Sequence, residues 1–415
     1  MNQASGIPGS TLLVLRLVAA LYGAVFALAF AAMADPQDLV RGEQSFRRFS
    51  LLVPAFAVLQ VLALPIWGAL SDRISPRGIL MISTSLVLLG ALFPLVPMPW
   101  PRNMISRIIL GAGAAGFVLS LSFCANLVES NRRSPLVAPL FSAFLLGGLL
   151  MMVCKWLCLR EGMSFGGAMN AASALILVMA ILSMLGIKLR LEEAWPKSEI
   201  YRGTNAMAHL WHGFSVLWSG TGFALIALIA LSGFAAAQGL LWVAPAALRG
   251  SGAPGMTSGP ALVMFGLPWI AAAVAAALFF RFVPKPQEGK SAAALLAGVL
   301  LVVLALASAF WNPGWIPRTA LACGIGFCAT VLACLALAAV MASTRSRELG
   351  AATGAAFALW LAGFAVSKLL VLLASGSGEL QGLGYLLVAS SVLALCALWF
   401  VLRSSVLKPI VARKA

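Results

Sequence analysis

The chain has 415 residues, of which 62% are hydrophobic and only 10% are charged, and its mean hydropathy is +1.01. A soluble globular protein carries about 25% charged residues, so this composition excludes a soluble fold and indicates an integral membrane protein. The formal charge of +16 does not predict nucleic-acid binding, because cytoplasmic loops of membrane proteins are enriched in Lys and Arg.

Apolar runs recur along the whole chain, and most of them are long enough to cross a bilayer, which takes about 20 mostly apolar residues. We therefore predict an all-α integral membrane protein with twelve transmembrane helices. The predicted spans are 11–33, 49–70, 79–98, 104–128, 136–159, 165–187, 214–247, 259–282, 291–310, 318–341, 351–374 and 381–402. The seventh run is long for one span, so its first part is expected at the interface or in water.

The placement of basic residues predicts the orientation of the chain. With the N-terminus in the cytoplasm, most Lys and Arg side chains fall in cytoplasmic connections, as the positive-inside rule requires. The first run reads as an uncleaved span and not as a removable signal peptide. We expect a multi-pass protein of the cell (inner) membrane with both termini in the cytoplasm.

The longest cytoplasmic connection divides the spans into six and six. It gives an N-terminal six-helix half (1–187), a cytoplasmic central loop (188–213) and a C-terminal six-helix half (214–415). A faint repeat supports two pseudo-symmetric halves: Ile105, Arg107, Leu110 and Gly113 share their spacing with Ile316, Arg318, Leu321 and Gly324. Such internal repeats are common in secondary transporters.

The hairpin between the second and third runs carries the clearest motif, Gly68-Ala-Leu-Ser-Asp72-Arg73-Ile-Ser-Pro-Arg77-Gly78. It resembles the signature loop between helices 2 and 3 of the major facilitator superfamily, except that Ser75 and Pro76 replace Gly and Arg. The resemblance implies a two-half transporter fold with alternating access. It also implies a conformational latch that holds the outward-open state, formed here by Gly68, Asp72, Arg73 and Arg77.

A second motif lies in the fourth run, where Arg107-Ile-Ile-Leu-Gly111-Ala-Gly113-Ala-Ala115 is similar to the family's helix 4 motif with Leu110 in place of Gln. In the family this Arg takes part in proton coupling or substrate binding in several antiporters. An Arg within a span is costly unless it is paired or faces a water-filled cavity. The alternative is a side chain that snorkels to the outer surface.

Four further residues are candidates for substrate binding. Lys368 lies in span eleven, a cavity helix of the family in which some organic-anion exchangers carry a Lys. Gln60 and Gln238 lie near the middle of spans two and seven, and Tyr22 lies in span one. The alternative for the glutamines is hydrogen bonding between helices. For Arg16 and Lys155 we favour snorkelling.

Acidic residues avoid the predicted spans. All twelve lie in loops or at span ends, whereas proton relays in transporters commonly use buried Asp, Glu or His. Basic side chains without buried acids would make a cavity of positive potential. The predicted function is therefore secondary active transport of a small organic solute, anionic or zwitterionic, by alternating access, with or without a coupling ion.

Other classes remain as alternatives. Drug-efflux antiporters tend to carry Gly-Pro-x-x-Gly-Gly in span five, where this chain keeps only Gly147 and Gly148. A non-transporting sensor or assembly protein of the same fold is a further alternative. We find no acid, His or nucleophile cluster for a membrane enzyme and no cofactor motif. The seven Cys lie in apolar runs without a metal-ligand pattern. We expect a monomer in the bilayer.

Overall fold

The computed structural model describes residues 7–31, 43–96, 101–128, 133–163, 165–191, 211, 213–215, 217–218, 223–241, 259–282, 287–310, 315–344, 348–377 and 380–403. In this part of the chain the secondary structure is helical throughout. Most of the central loop, 188–213, lies outside the described residues, as does the connection at 242–258.

The helices follow the predicted order, and we number them so that the fourth has two parts. They are α1 (Gly9–Ala31), α2 (Glu43–Ser71), α3 (Pro76–Leu92), α4a (Pro101–Gly113), α4b (Gly116–Asn126), α5 (Val137–Arg160), α6 (Phe165–Arg190), α7 (Phe223–Leu241), α8 (Gly259–Phe282), α9 (Gln287–Phe310), α10 (Trp315–Ser343), α11 (Leu349–Ser377) and α12 (Leu380–Arg403).

In the part of the chain that the structure describes, ten segments are long and apolar enough to cross a membrane. The apolar parts of α2 and α8 among the described residues, Ala55–Ser71 and Gly266–Leu278, are shorter. Ten to twelve spans agree with the predicted all-α membrane fold. The fourth span, predicted over 104–128, lies at Met104–Asn126. It consists of two helices, because the chain leaves the helix at Ala114 and Ala115.

Apolar side chains both fill the bundle and cover its outside. Rings such as Phe26, Phe144 and Trp269 are completely or almost completely buried, whereas Leu13, Leu296 and Phe400 point outward and are more than half exposed. A soluble protein would not tolerate so much exposed apolar area, but in a bilayer these side chains face lipid tails that are equally apolar.

The largest contacts between the first six and the last six helices, as far as the structure describes them, are made by two helix pairs. Helix α2 packs along α11, and α5 packs along α8. Within each group of six the main contacts join α1 to α5 and α7 to α11. The interface between the groups therefore passes through the middle of the bundle, where the candidate site lies.

Candidate functional site

Asp72 lies in the turn between α2 and α3 and caps the N-terminus of α11. The main-chain N–H of Gly350 donates to Oδ1 at 2.8 Å, and that of Ala351 donates to Oδ2 at 2.9 Å. Both oxygens thus bind donors that the first turn of α11 cannot pair internally. A carboxylate at this position also interacts favourably with the helix dipole. We call this end of the bundle the Asp72 end.

Glycines allow α2 and α11 to touch through their backbones beside Asp72. A Cβ on Gly68 would overlap the carbonyl oxygen of Gly350, and one on Gly354 would lie 2.6 Å from the carbonyl oxygen of Leu64. Small residues permit this close approach in membrane helices. Because Gly68 and Gly350 belong to different groups of six spans, the contact joins the two groups.

Ser75 and Pro76, the two departures from the family pattern, begin helix α3. Ser75 is its N-cap and accepts a hydrogen bond from the Gly78 N–H at 3.4 Å, and Pro76 occupies the first helical turn. Both residue types are favoured at these positions. Arg77 donates from Nη2 to the carbonyl oxygen of Lys188 at 2.8 Å, at the end of α6. Arg73 is partly buried in the same turn.

Arg133 forms a second contact between the groups at the Asp72 end. Its buried guanidinium donates from Nε to the Ala125 carbonyl oxygen at 3.0 Å and from Nη1 to that of Thr344 at 3.1 Å. These carbonyls end α4b and α10, where the dipole favours a cation. Burial lowers the pKa of this guanidinium, because removal from water disfavours the charged form. The sequence did not single out this residue.

Arg133→Gln should weaken the closure of the Asp72 end. The variant loses charge-assisted bonds to two helix ends, which we expect to cost about 2 kcal/mol. The thermal midpoint of the detergent-solubilised protein should fall by a few degrees. Arg190→Gln, at an exposed position at the end of α6, is the control and should leave the midpoint unchanged. Equal midpoints for the wild type and Arg133→Gln would contradict this role.

Eight aromatic rings meet at the centre of the bundle, four from each group of spans. Phe357 contacts Phe117 with a centroid distance of 4.8 Å, and Phe26 contacts Phe364 at 4.7 Å and Trp360 at 5.9 Å. Every ring is at most 2% exposed. We call this set the aromatic cluster: Phe26, Phe117, Phe141, Phe144, Trp269, Phe357, Trp360 and Phe364.

The cluster contains two indole N–H groups that form no hydrogen bond with the described residues. Nε1 of Trp269 and Nε1 of Trp360 are buried, and neither finds an acceptor among the residues that the structure describes. Buried polar groups are normally paired, and leaving one unpaired costs free energy. Two unused donors in the middle of an apolar cluster are available to a bound molecule.

The predicted polar residues form bonds between helices. The hydroxyl of Tyr22 bonds that of Ser83, which donates to the Gly113 carbonyl oxygen at 2.8 Å. Gln60 donates from Nε2 to the Ala114 carbonyl oxygen at 3.0 Å, and Gln238 donates to the Ser367 hydroxyl at 2.7 Å. All three predicted side chains are at most 2% exposed. The Oε1 of Gln60 is buried and has no hydrogen-bond partner among the described residues.

Arg107 is buried inside the bundle, where its side chain is 4% exposed. Its Nη1 has no hydrogen-bond partner in the described part of the chain. This placement differs from the snorkelling alternative, in which the head group would reach water. Arg16, in contrast, is exposed about two turns into α1. The backbone of Lys368 lies in α11, but its side chain is outside the described residues.

Acidic groups occur at helix ends and turns in the described ranges. Asp72, Glu161 and Glu348 are in turns or first turns, and Glu43 and Glu288 are at the start of α2 and α9. No group of three or more His, Cys, Asp and Glu residues that could hold a metal ion occurs in the described part. The seven cysteines are free thiols.

The family follows from comparison with known proteins. The family model of the Major Facilitator Superfamily matches residues 12–368. The chain therefore belongs to the major facilitator superfamily, which consists of secondary transporters and not enzymes. No curated protein matches this sequence significantly.

Solved structures share the fold over almost the entire chain. The human organic anion transporter MFSD10 (TETRAN) is 20% identical with a TM-score of 0.72, and the match covers 95% of this chain and 100% of that one. A structure of the E. coli fucose:proton symporter FucP is 16% identical with a TM-score of 0.66, covering 95% and 99%. At these identities the likeness establishes the fold alone.

Proposed function

We propose that this transporter carries a small organic solute that is anionic or zwitterionic, across the cell (inner) membrane. The observation that carries the proposal is the buried Arg107, whose Nη1 has no partner among the described residues. An unpaired buried cation is costly, so an anionic group of the cargo would relieve that cost. Of the two structural neighbours, one is named for an organic anion and the other for fucose with a proton, and the first is consistent with an anionic cargo.

The orientation is part of this proposal. With both termini in the cytoplasm, the Asp72 end faces the cytoplasm, which agrees with the distribution of Lys and Arg. The contacts of Asp72 and Arg133 then hold the cytoplasmic side closed. Alternating access would break these contacts and separate the N-terminal half (1–187) from the C-terminal half (214–415) around the aromatic cluster. The coupling ion, if one is used, is not specified by these residues.

Arg107→Ala should lower organic-anion exchange at least tenfold. The variant removes the buried positive charge that we assign to the cargo's anionic group. A tenfold loss of affinity corresponds to about 1.4 kcal/mol of binding free energy. The measurement is counterflow of labelled organic anions and zwitterions in proteoliposomes. Arg107→Lys should retain part of the activity, since it keeps the charge and loses the planar guanidinium.

Arg16→Ala is the control, because this arginine is on an exposed face of α1, and it should exchange like the wild type. Thermal midpoints of all variants separate loss of binding from loss of folding. Counterflow by Arg107→Ala at the wild-type rate would contradict the anionic proposal. If the wild type exchanged none of the organic anions and zwitterions tested, the proposal would be wrong.

Export of lipophilic compounds is the second candidate, and the aromatic cluster favours it. Eight rings and two unused indole donors suit an apolar, aromatic cargo. A thermal-shift screen against organic anions, amino acids and lipophilic cations separates the candidates, because a bound cargo raises the apparent stability. Stabilisation by lipophilic cations alone would favour the export alternative.

A further inference from the structure

Helix 4 is interrupted in the middle of the bundle, at Ala114 and Ala115. Three consecutive carbonyl groups freed by the break accept hydrogen bonds from other helices. Ala112 accepts from Trp67 Nε1 at 2.6 Å, Gly113 from the Ser83 hydroxyl at 2.8 Å, and Ala114 from Gln60 Nε2 at 3.0 Å. Side chains of α2 and α3 therefore stabilise the break, because they bind the carbonyl groups at the C-terminal end of α4a.

The N-terminus of α4b, on the other side of the break, has no such side-chain hydrogen bonds among the described residues. Helix α4b begins at Gly116 after Ala115, whose methyl side chain cannot cap it, and no side chain in the described region forms a cap bond there. The first N–H groups of a helix have no partner inside the helix. The helix has 11 residues, and all but the last are buried. Its positive end thus lies inside the protein without a side-chain cap from the described residues.

A second, independent observation points to a ligand at the same place. The carboxamide of Gln60 lies at the break, because its Nε2 binds the Ala114 carbonyl, and its Oε1 has no partner among the described residues. The side chain is 2% exposed. The unused acceptor oxygen therefore belongs to a side chain that binds Ala114, two residues before α4b begins at Gly116.

The break also adjoins the aromatic cluster. Phe117 is the second residue of α4b, and its ring contacts Phe141 and Phe144 at 5.4 Å and Phe357 at 4.8 Å between centroids. Tyr22 packs against Gly116 so closely that a Cβ there would overlap the tyrosine ring. A molecule bound at the helix end would extend directly into the rings.

We propose that the N-terminus of α4b is the cargo's carboxylate site. The N–H groups of Gly116 and Phe117 bind the carboxylate, a neighbouring O–H or N–H of the cargo donates to Gln60 Oε1, and a flat apolar body lies among the rings of the aromatic cluster. The cargo class is then an aromatic or similarly flat carboxylate with a hydroxyl or amino group next to the acid. This proposal rests on the anionic or zwitterionic cargo of the proposed function.

The corresponding helix of the sequence repeat has no such break. Helix α10 runs without interruption over Trp315–Ser343, although Arg318 and Gly324 match Arg107 and Gly113 in spacing. The break is thus not a general requirement of this repeat. Arg107 lies seven residues before Ala114, about 10 Å along the helix at 1.5 Å per residue, and its positive charge would add to the attraction for an anion.

The proposal is tested with four ligands, three of which each lack one group of the first. Their affinities for the purified protein are measured by isothermal titration calorimetry. The ligands are 3-phenyllactate, 3-phenylpropionate without the hydroxyl, 3-phenylpropane-1,2-diol without the carboxylate, and lactate without the ring. We expect 3-phenyllactate to bind best. Loss of the hydroxyl should weaken binding about fivefold, the usual effect of one hydrogen bond, and loss of the carboxylate or of the ring should weaken it more than tenfold.

Two variants locate the site. Ala115→Ser places a hydroxyl at the N-cap, where it accepts from the free N–H groups, so the thermal midpoint should hold or rise while affinity for 3-phenyllactate falls at least tenfold. Gln60→Leu should make 3-phenyllactate and 3-phenylpropionate bind equally. Ser232→Ala, at a buried hydroxyl of α7 that donates to the Ile229 carbonyl oxygen at 2.8 Å, is the control and should preserve the difference between the two ligands.

Wild-type affinity in folded Ala115→Ser, or an unchanged hydroxyl preference in Gln60→Leu, would overturn the proposal. Failure of all four ligands to bind the wild type would overturn it as well. These outcomes leave the proposed function intact if other organic anions show counterflow that depends on Arg107. Loss of all anion and zwitterion exchange is the separate result that removes the proposed function itself.

Discussion

Asp72→Ala should release the Asp72 end of the bundle and lower transport by one to two orders of magnitude. The variant removes two hydrogen bonds from main-chain N–H groups to a buried carboxylate and the N-cap of α11. Bonds to charged groups contribute about 1.5–3 kcal/mol, so we expect the closed arrangement to lose about 3 kcal/mol. That change alters the ratio of the two arrangements about a hundredfold.

The population shift can be measured by thiol labelling. Ser71→Cys, in a background without the seven native cysteines, places a thiol at a position that is 1% exposed beside Gly350. Its reaction with a maleimide should accelerate strongly when Asp72 is replaced by Ala. Asp72→Asn keeps one acceptor without the charge and should give an intermediate rate. Labelling of the Asp72→Ala variant as slow as with Asp72 present would contradict the capping role.

Gly68→Ala should prevent closure of the same end without unfolding the protein. The new methyl group would overlap the carbonyl oxygen of Gly350 across the contact between α2 and α11. Overpacking of this kind costs about 1–3 kcal/mol and at times more. The cost arises only when the two helices touch, so the separated arrangement escapes it. Counterflow in proteoliposomes should fall more than tenfold.

Gly23→Ala is the matched comparison, because its methyl group would overlap the carbonyl oxygen of Phe144. Helices α1 and α5 belong to the same group of six spans, so this clash is present in every arrangement. We expect Gly23→Ala to lower the thermal midpoint and the yield of folded protein, and Gly68→Ala to affect mainly transport. Equal losses of stability in both variants would show that the Gly68 contact is not specific to one arrangement.

Periodicity, charge and one short motif were sufficient to predict the helical membrane fold and its family. The motif predicted that Asp72 belongs to a conformational latch, but it did not specify the N–H groups of Gly350 and Ala351 as its partners. Ser75 and Pro76 departed from the family pattern because they form the N-cap and first turn of α3. That explanation uses only neighbouring residues and was accessible from the sequence.

Features that depend on distant residues could not be predicted. The break in helix 4 depends on donors from Gln60, Trp67 and Ser83, and their partners are known only once the helices are packed. The aromatic cluster joins rings separated by up to 338 positions along the chain, from Phe26 to Phe364. In sequence each ring was one more apolar residue in an apolar run. The role of Arg133 could not be predicted for the same reason, since its partner Thr344 is 211 residues away.

The aromatic cluster has a consequence for the cell's energy supply. A carrier that holds a chain of water molecules through its centre would let protons leak and discharge the membrane potential. Eight rings that are at most 2% exposed exclude such a chain at the level of the bilayer where they lie, because water in an apolar space lacks the polar partners that it needs. The arrangement that the structure shows therefore offers protons no chain of water molecules through the level of the aromatic cluster.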